Sequence, residues 1–490
     1  MAVKDGSSEQ NGGHTTGAKA PFVQASERMR EAGLPVSVIK NFENLFSSVR
    51  SGDSGVIGEE EIEPLQEIES LPAISASLKL VELGKSLLGS LVVVRLNGGL
   101  GTTMGLNRAK SLLVVKEELT FNDIIANQLL TLGRDAGVHI PLLHMTSFST
   151  DSDIRSFMEQ YPELSYPGLP TTFQQHKHPK IYVDTMLPAA ESDDDLNWNP
   201  PGHGDMYSAL LESGIAARLL ELGKRYLFVA NADNLGATVD PCILGYLAHK
   251  KAPFLMETAE RTAADSKGGH LARRRATGRL LLRESGQAPT TPSGDLIPQF
   301  RDTGLYRHFN TNNIWLDLEA VVKTAQEHEG IIPLPLISNR KTVNPRDRSS
   351  RKVIQIETAM GAAIEVFDGA CALQVPRTRF APVKSNNDLL VVRSDAYELS
   401  PSFNLIPRGV EGSLPTVQLD PHYFGLLVDF ETRMKVVPSL CEARALVVKG
   451  DVLFDHPVKI VGSVTIATAG GAQGSIPAEI GSLQDQELLV

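Results

Sequence analysis

Cysteine is scarce in this chain. Cys242, Cys371 and Cys441 are the only three among 490 residues, odd in number and far apart. That argues against a disulfide framework or a structural zinc site and points to a reducing compartment, the cytosol. No apolar run approaches the roughly 18 residues of a membrane span. Met1–Ala20, rich in Gly, Ser and Thr, has no secretory core, and the Glu487–Val490 end carries no recognisable address. A basic surplus is missing too: net charge is −11 and pI about 5.6. A nucleic-acid-binding surface would need a dominant basic footprint, so that class is disfavoured. A small phosphorylated substrate is not, since a few lysines and backbone amides suffice for it. The hydrophobic fraction of 42% and charged fraction of 21% are those of a globular protein.

The length allows one large catalytic domain and a smaller partner. Residues 1–20 read as a disordered tail. Residues 21–90 read as a helical lead-in, with Met29, Leu34, Val38, Phe42 and Leu45–Phe46 at helical spacing. From Leu91 the pattern changes. Leu91–Leu96, His139–Met145, Tyr226–Ala230, Phe254–Thr258 and Arg279–Arg283 suit strands. Phe121–Ala136, Ser149–Tyr161, Cys242–Lys250, Leu316–Glu329 and Gln355–Phe367 suit helices, with Ser149 or Thr150 as an N-cap. The alternation predicts a doubly wound α/β domain over residues 91–395, its sheet largely parallel, with ligands beyond the carboxyl ends of the strands. In residues 396–490, Val448/Val452/Phe454 and Val458/Ile460/Val464/Ile466 repeat with period two. Such spacing suits either a short β-solenoid or a simple hairpin.

Chemistry is concentrated in a few segments. Arg95-Leu-Asn-Gly-Gly-Leu-Gly-Thr-Thr-Met-Gly105 runs from a strand into a loop holding Gly98, Gly99, Gly101 and Gly105, with Lys110 beyond. Such a loop can present several backbone N–H groups to phosphate oxygens, and a nearby lysine neutralises the same anion. It matches neither the dinucleotide fingerprint, where Met104 replaces the third glycine, nor the P-loop, where Ala109 precedes the lysine. Pro200-Pro-Gly-His-Gly-Asp205 fixes His203 between two glycines, either as a plain turn or as a donor to a sugar or phosphate oxygen. Asn231-Ala-Asp-Asn234 ends a strand, where Asp233 either forms a turn or holds Mg²⁺ against nucleotide phosphates. Phe309–Asn313 offers three asparagines, suited to sugar hydroxyls or to capping a following helix. The prolines and basic residues of Val375–Lys384 either aim Lys384 or make a solvated loop. His176 and His178 read as surface residues rather than metal ligands.

Together these segments resemble the eukaryotic-type UDP-glucose pyrophosphorylases, closely from about Leu91 to Val392. The carriers are Leu96–Gly105, Pro200–Asp205, Asp233–Asp240, Lys267–Gly269, Phe309–Trp315, Gln355–Ala363 and Arg377–Lys384, in the family's order. The resemblance implies a central doubly wound, mixed-sheet, Rossmann-like domain of the nucleotide-diphospho-sugar transferases, an N-terminal helical part and a C-terminal left-handed β-helix. It implies uridylyl transfer from UTP to glucose 1-phosphate with Mg²⁺. Leu96, Asn97, Gly98, Gly99 and Gln175 would hold uracil and ribose, and Gly202 and Asn231 further nucleotide contacts. Gly98, Gly99 and His203 would meet glucose 1-phosphate, with Glu284 and Asn312 on the sugar. Lys110, Lys384 and Asp233 with its metal would surround the phosphates. Broader UDP-sugar or UDP-N-acetylhexosamine pyrophosphorylases, and a non-catalytic nucleotide-sugar binder, are the rival readings. The open edge of a C-terminal solenoid would be the place for self-association. Here Ala109 stands where many members carry proline, and Arg108 adds a charge.

Overall fold

Leu91, Val92, Val93 and Val94 are all fully buried, a near-continuous apolar run that only a central strand covered on both faces can accommodate. The computed structural model describes residues 21–262, 265–468 and 472–490, so the expected disordered tail lies outside the described residues. The Leu91–Asn97 strand has parallel neighbours on both sides: Tyr226–Asn231 on one, Leu142–Thr146 and then Thr172–Gln174 on the other. Beyond Tyr226–Asn231 comes His308–Asp317, running antiparallel, followed by Phe254–Glu260 and Cys371–Gln374. Among the described residues ten strands belong to this sheet, and the antiparallel pairings of His308–Asp317 make it mixed, as the resemblance implied, rather than largely parallel.

Helices cover both faces. The Phe121–Ala136 helix starts where Thr120 and Asp123 form a capping box and stops at Gly137, which takes a left-handed conformation. With Pro241–Lys250 it packs on the face lined by Leu91, Val93 and Phe228. Met206–Glu212, Ile215–Glu221 and Leu318–Glu327 pack on the other, against Val92, Val94 and Leu227. The helices Pro21–Glu31 and Val36–Arg50 build a separate core against Ile181, Ile354 and Ile356, which belong to a three-stranded sheet. The C-terminal strands Thr416–Leu419, Ser439–Lys449, Lys459–Ala467 and Ser482–Gln484 pair in parallel. Val452–Leu453 and Gly474–Ser475 pair in parallel in a second short sheet. Stacked rungs require such parallel pairing; a hairpin forbids it.

Some boundaries differ from the sequence expectation. Gln355–Phe367 is not a helix: Lys352–Glu357 is a strand, and Met360–Glu365 a 3₁₀ turn. Its β-branched residues Val353, Ile354 and Ile356 go into the small sheet. Phe309–Asn313 lies within a strand instead of leading into a helix, which begins only at Leu318 after the Asp317 cap. The strand expected at His139 begins at Leu142. Thr150 stands at the N-cap position of Asp151–Met158, yet its hydroxyl donates to Asn97 O at 2.7 Å.

The Leu78–Leu87 and Pro241–Lys250 helices cross with glycine against backbone. A Cβ on Gly245 would stand 1.9 Å from Leu80 O, and one on Gly84 1.6 Å from Pro241 O. Gly245→Ala should therefore force the helices apart and cost about 1–3 kcal/mol. A urea-unfolding midpoint unchanged from the parent would refute that close approach.

Candidate active site

The carboxyl ends of the parallel strands set out the site. Asn97 turns its side chain inward to His144, and its carbonyl accepts the Thr150 hydroxyl, so its side chain anchors the strand end instead of facing the cleft. Gly98 O accepts the Ser147 hydroxyl at 3.0 Å. The Gln175 side chain lies directly against Gly98, where a Cβ would meet Nε2 at 2.9 Å. Gly98 and Gln175 line a cleft of about 270 Å³ with Phe148, Lys177 and Trp198. Phe148 is 68% exposed despite its apolar ring, and Trp198 carries the Lys177 ammonium 4.2 Å from its ring centre. Flat apolar faces beside hydrogen-bonding groups suit a nucleobase. Phe148 and Trp198 went unnoticed in the sequence, because nothing local distinguishes an exposed aromatic from a buried one. Leu96 and Asn231 are paired at the strand ends, both half-buried, and Gly99 has nothing within 4 Å of where its Cβ would be.

The Pro200–Asp205 loop is clamped from two sides. Thr358 N–H donates to Pro201 O, and Gly204 N–H to Thr358 O. Gly202 takes φ +81°, and a Cβ there would stand 2.3 Å from Thr358 O, so only glycine fits. Asp205 accepts from the His176 backbone N–H at 2.6 Å and faces His176 Nδ1 at 2.9 Å, latching this loop to the Gln175 segment. His176 is thus half-buried, and His178 is fully buried with Nδ1 against Ile356 O; neither is a surface residue. His203 Nδ1 accepts the Met360 N–H at 3.0 Å, which leaves Nε2 as the ring's donor. Burial, with the nearby Lys384 charge, pushes the His203 pKa down to about 4, so the ring is neutral at pH 7.

Asp233 sits one turn past Tyr226–Asn231 and accepts from Lys110 Nζ at 2.8 Å and from Lys384 Nζ at 3.0 Å. Burial works to raise its pKa, but Lys384 and Lys110 outweigh that and hold it below the usual carboxylate value. Lys110 Nζ also donates to Val383 O. The Lys384 segment is fixed by Val383 N–H on Asp233 O and by Ala381 N–H on Asn234 Oδ1. Behind it, Arg379 makes two 2.7 Å bonds to the fully buried Glu257, which also accepts from Trp315 Nε1 and Asn313 Nδ2. Ala109 is buried, and its N–H donates to Asp153 Oδ2 at 3.0 Å, a bond that proline could not make. Arg108 points outward, exposed.

At the opposite side, Glu284 is half-buried next to Gly269, where a Cβ would meet its Oε2 at 2.5 Å. Burial raises its pKa, partly offset by the Asn310 amide. Asn312 occupies a bulge: Glu257 pairs with Asn313 and Thr258 with Asn310, leaving Thr311 and Asn312 as extra residues. Its φ of +58° is held by its N–H on Asn310 Oδ1 and its own Oδ1 accepting from Asn310 Nδ2, both at 2.9 Å. Among the described residues no group of three or more His, Cys, Asp or Glu could hold a metal. Asp233 therefore belongs to no such group and would offer a metal its own carboxylate. That suits a magnesium ion that arrives with its nucleotide and keeps phosphate and water ligands.

The sequence model of the UTP–glucose-1-phosphate uridylyltransferases matches residues 39–460. The chain belongs to that family. Members of the UTP–glucose-1-phosphate uridylyltransferase family are nucleotidyltransferases, and so is this protein. Among its relatives are the Hordeum vulgare enzyme of that name, 39% identical over 396 residues and covering 80% of each chain. A probable member from Schizosaccharomyces pombe is 37% identical over 81% of this chain and 76% of that one. A mutant UDP-glucose pyrophosphorylase of Leishmania major in complex with UDP-glucose superposes with a TM-score of 0.88 at 39% identity, over 96% of this chain and 99% of that one. A Trypanosoma brucei UDP-glucose phosphorylase gives 0.86 at 39% identity, with the same coverage.

His203 generates a pH prediction. Its folded pKa of about 4 lies below the unfolded value near 6.5. Below pH 6.5 the unfolded chain binds the extra proton first, so this contribution to stability is lost as pH falls from 6.5 toward 4. Replacing His203 with Gln should shrink the stability difference between pH 7 and pH 5, read from urea midpoints. An undiminished difference would overturn the neutral assignment.

Proposed function

We propose that the protein transfers the uridylyl group of UTP to glucose 1-phosphate, giving UDP-glucose and pyrophosphate by in-line displacement at the α-phosphorus. The convergence of Lys110 and Lys384 on Asp233 beyond the parallel strands carries this reading. A phosphate oxygen of glucose 1-phosphate attacks, the bond from the α-phosphorus to its bridging oxygen breaks, and pyrophosphate leaves with the electron pair. The nucleophile is already anionic and needs no general base. The protein's part is to align two polyanions and screen their repulsion.

Lys384, 59% exposed and paired with Asp233, stabilises charge developing on the α-phosphate. Lys110, tethered at Val383 O, holds the departing pyrophosphate with the glycine-loop amides. His203 donates from Nε2 to a phosphate or sugar oxygen without adding charge. Leu96, Gly98, Gly99 and Gln175 take the uracil and ribose, Gly202 and Asn231 add nucleotide contacts, and Glu284 and Asn312 take the sugar. Asp233 is the residue to hold Mg²⁺; bound there with nucleotide oxygens, it would neutralise non-bridging charge. The reaction belongs in the cytosol, where three unpaired cysteines stay reduced.

Pyrophosphate release from UTP and Mg²⁺ should be fastest with glucose 1-phosphate, ahead of galactose 1-phosphate and N-acetylglucosamine 1-phosphate. Comparable rates would widen the substrate assignment, and no release would end the catalytic one. Lys384→Ala should lower kcat by about 10²–10³-fold with an unchanged melting temperature; near-normal turnover would remove its role. EDTA should abolish activity and added magnesium restore it, whereas persistence in EDTA would rule out the metal at Asp233.

A further inference from the structure

The small sheet of Ile337–Thr342, Lys352–Glu357 and Ile181–Tyr182 buries one face on the N-terminal helices through Ile354 and Ile356. Alternation places Asn339 and Glu357 on its other face, since Ile337 pairs with Glu357 and Asn339 with Gln355. Two close approaches locate that face. Gly286, two residues past Glu284, comes so near that a Cβ there would stand 3.4 Å from Asn339 Oδ1. Gly202, next to His203, would place a Cβ 3.3 Å from Glu357 Cβ. Glu357 therefore stands between the His203 loop and the Glu284 turn, the two segments that the proposed function assigns to the sugar phosphate. It is half-buried, its carboxyl meets the Asn339 amide, and Lys341 is the nearby cation. Burial raises its pKa, with Lys341 and Asn339 pulling the other way. A half-buried carboxyl with one amide partner retains hydrogen-bonding capacity that an incoming hydroxyl can fill.

We propose that Glu357, oriented by Asn339, is a specificity-determining residue at the sugar end: it accepts a hydrogen bond from a hexose hydroxyl and, with Glu284, repels sugar 1-phosphates that carry a carboxylate. This rests on the uridylyl-transfer reading. The repulsion follows because a uronic acid would place a third carboxylate beside two that are poorly hydrated.

The test is steady-state kinetics of the wild type, Glu357→Gln and Asn339→Ala with glucose 1-phosphate and with glucuronic acid 1-phosphate. Glu357→Gln should raise KM for glucose 1-phosphate about tenfold, leaving KM for UTP and the melting temperature unchanged. Relative kcat/KM for glucuronic acid 1-phosphate should rise by a similar factor. Asn339→Ala should move the sugar ratio in the same direction, which keeps the idea testable if the first variant folds poorly. An unchanged ratio in both variants, or an equal rise in KM for UTP, would overturn the proposal while the wild-type activity stands. A wild type inactive with every sugar 1-phosphate would overturn the uridylyl-transfer reading, and this one with it.

Discussion

The site depends on one buried ion pair. Glu257, 0% exposed, accepts two bonds from Arg379 and one each from Trp315 and Asn313, so both its oxygens are fully used. Removing one partner of such a pair costs about 3–5 kcal/mol, because the other charge is left stranded. The cost here would not be confined to stability. Arg379 also donates to Thr238 O, and its own carbonyl accepts from Asn234 and Asn313. The segment before Lys384, the turn holding Asp233 and the bulge holding Asn312 are thus tied to the same few atoms. The Lys384–Asp233 corner and the Asn312 bulge are held in one frame by a carboxylate that belongs to neither.

The glycine segment with Lys110, the His203 loop, Asp233 and Lys384 could be picked out in the sequence, because each breaks the pattern of its surroundings. Glycines cluster after an apolar strand, and a histidine sits between two glycines. A carboxylate ends a buried run. Glu257 escaped notice for the opposite reason: in Phe254–Glu260 it looks like the polar half of an ordinary alternating strand. Only its partners, more than fifty residues away, make it central. Asp205 was visible only as the end of the His203 turn, since its latch to His176 joins two loops from different strands.

The misread elements share a cause. Gln355–Phe367 has helical apolar spacing, yet its backbone groups are claimed from outside: Thr358 bonds to Pro201 and Gly204, and Met360 N–H to His203. Tertiary hydrogen bonds there override local periodicity. The mixed sheet was implied by the family resemblance but not by the strand patterns, since strand direction is a matter of pairing, and pairing leaves no mark in a single strand. The parallel rungs at the C-terminus were less hidden, because Val448, Val452, Val458, Ile460, Val464 and Ile466 all fall on the buried side.

The Lys110–Asp233–Lys384 cluster has a consequence for what the resting site admits. Its net charge is +1, enough to draw polyanions from a distance. Yet both ammonium groups already bond to the carboxylate, so an entering anion must compete with Asp233 for them. To break in, an anion must release the lysines and leave Asp233 with a replacement counter-ion. On the proposed reading, a nucleotide escorted by its own divalent cation would do both at once. The cluster would then work as a turnstile that favours a metal-escorted nucleotide over a bare phosphate.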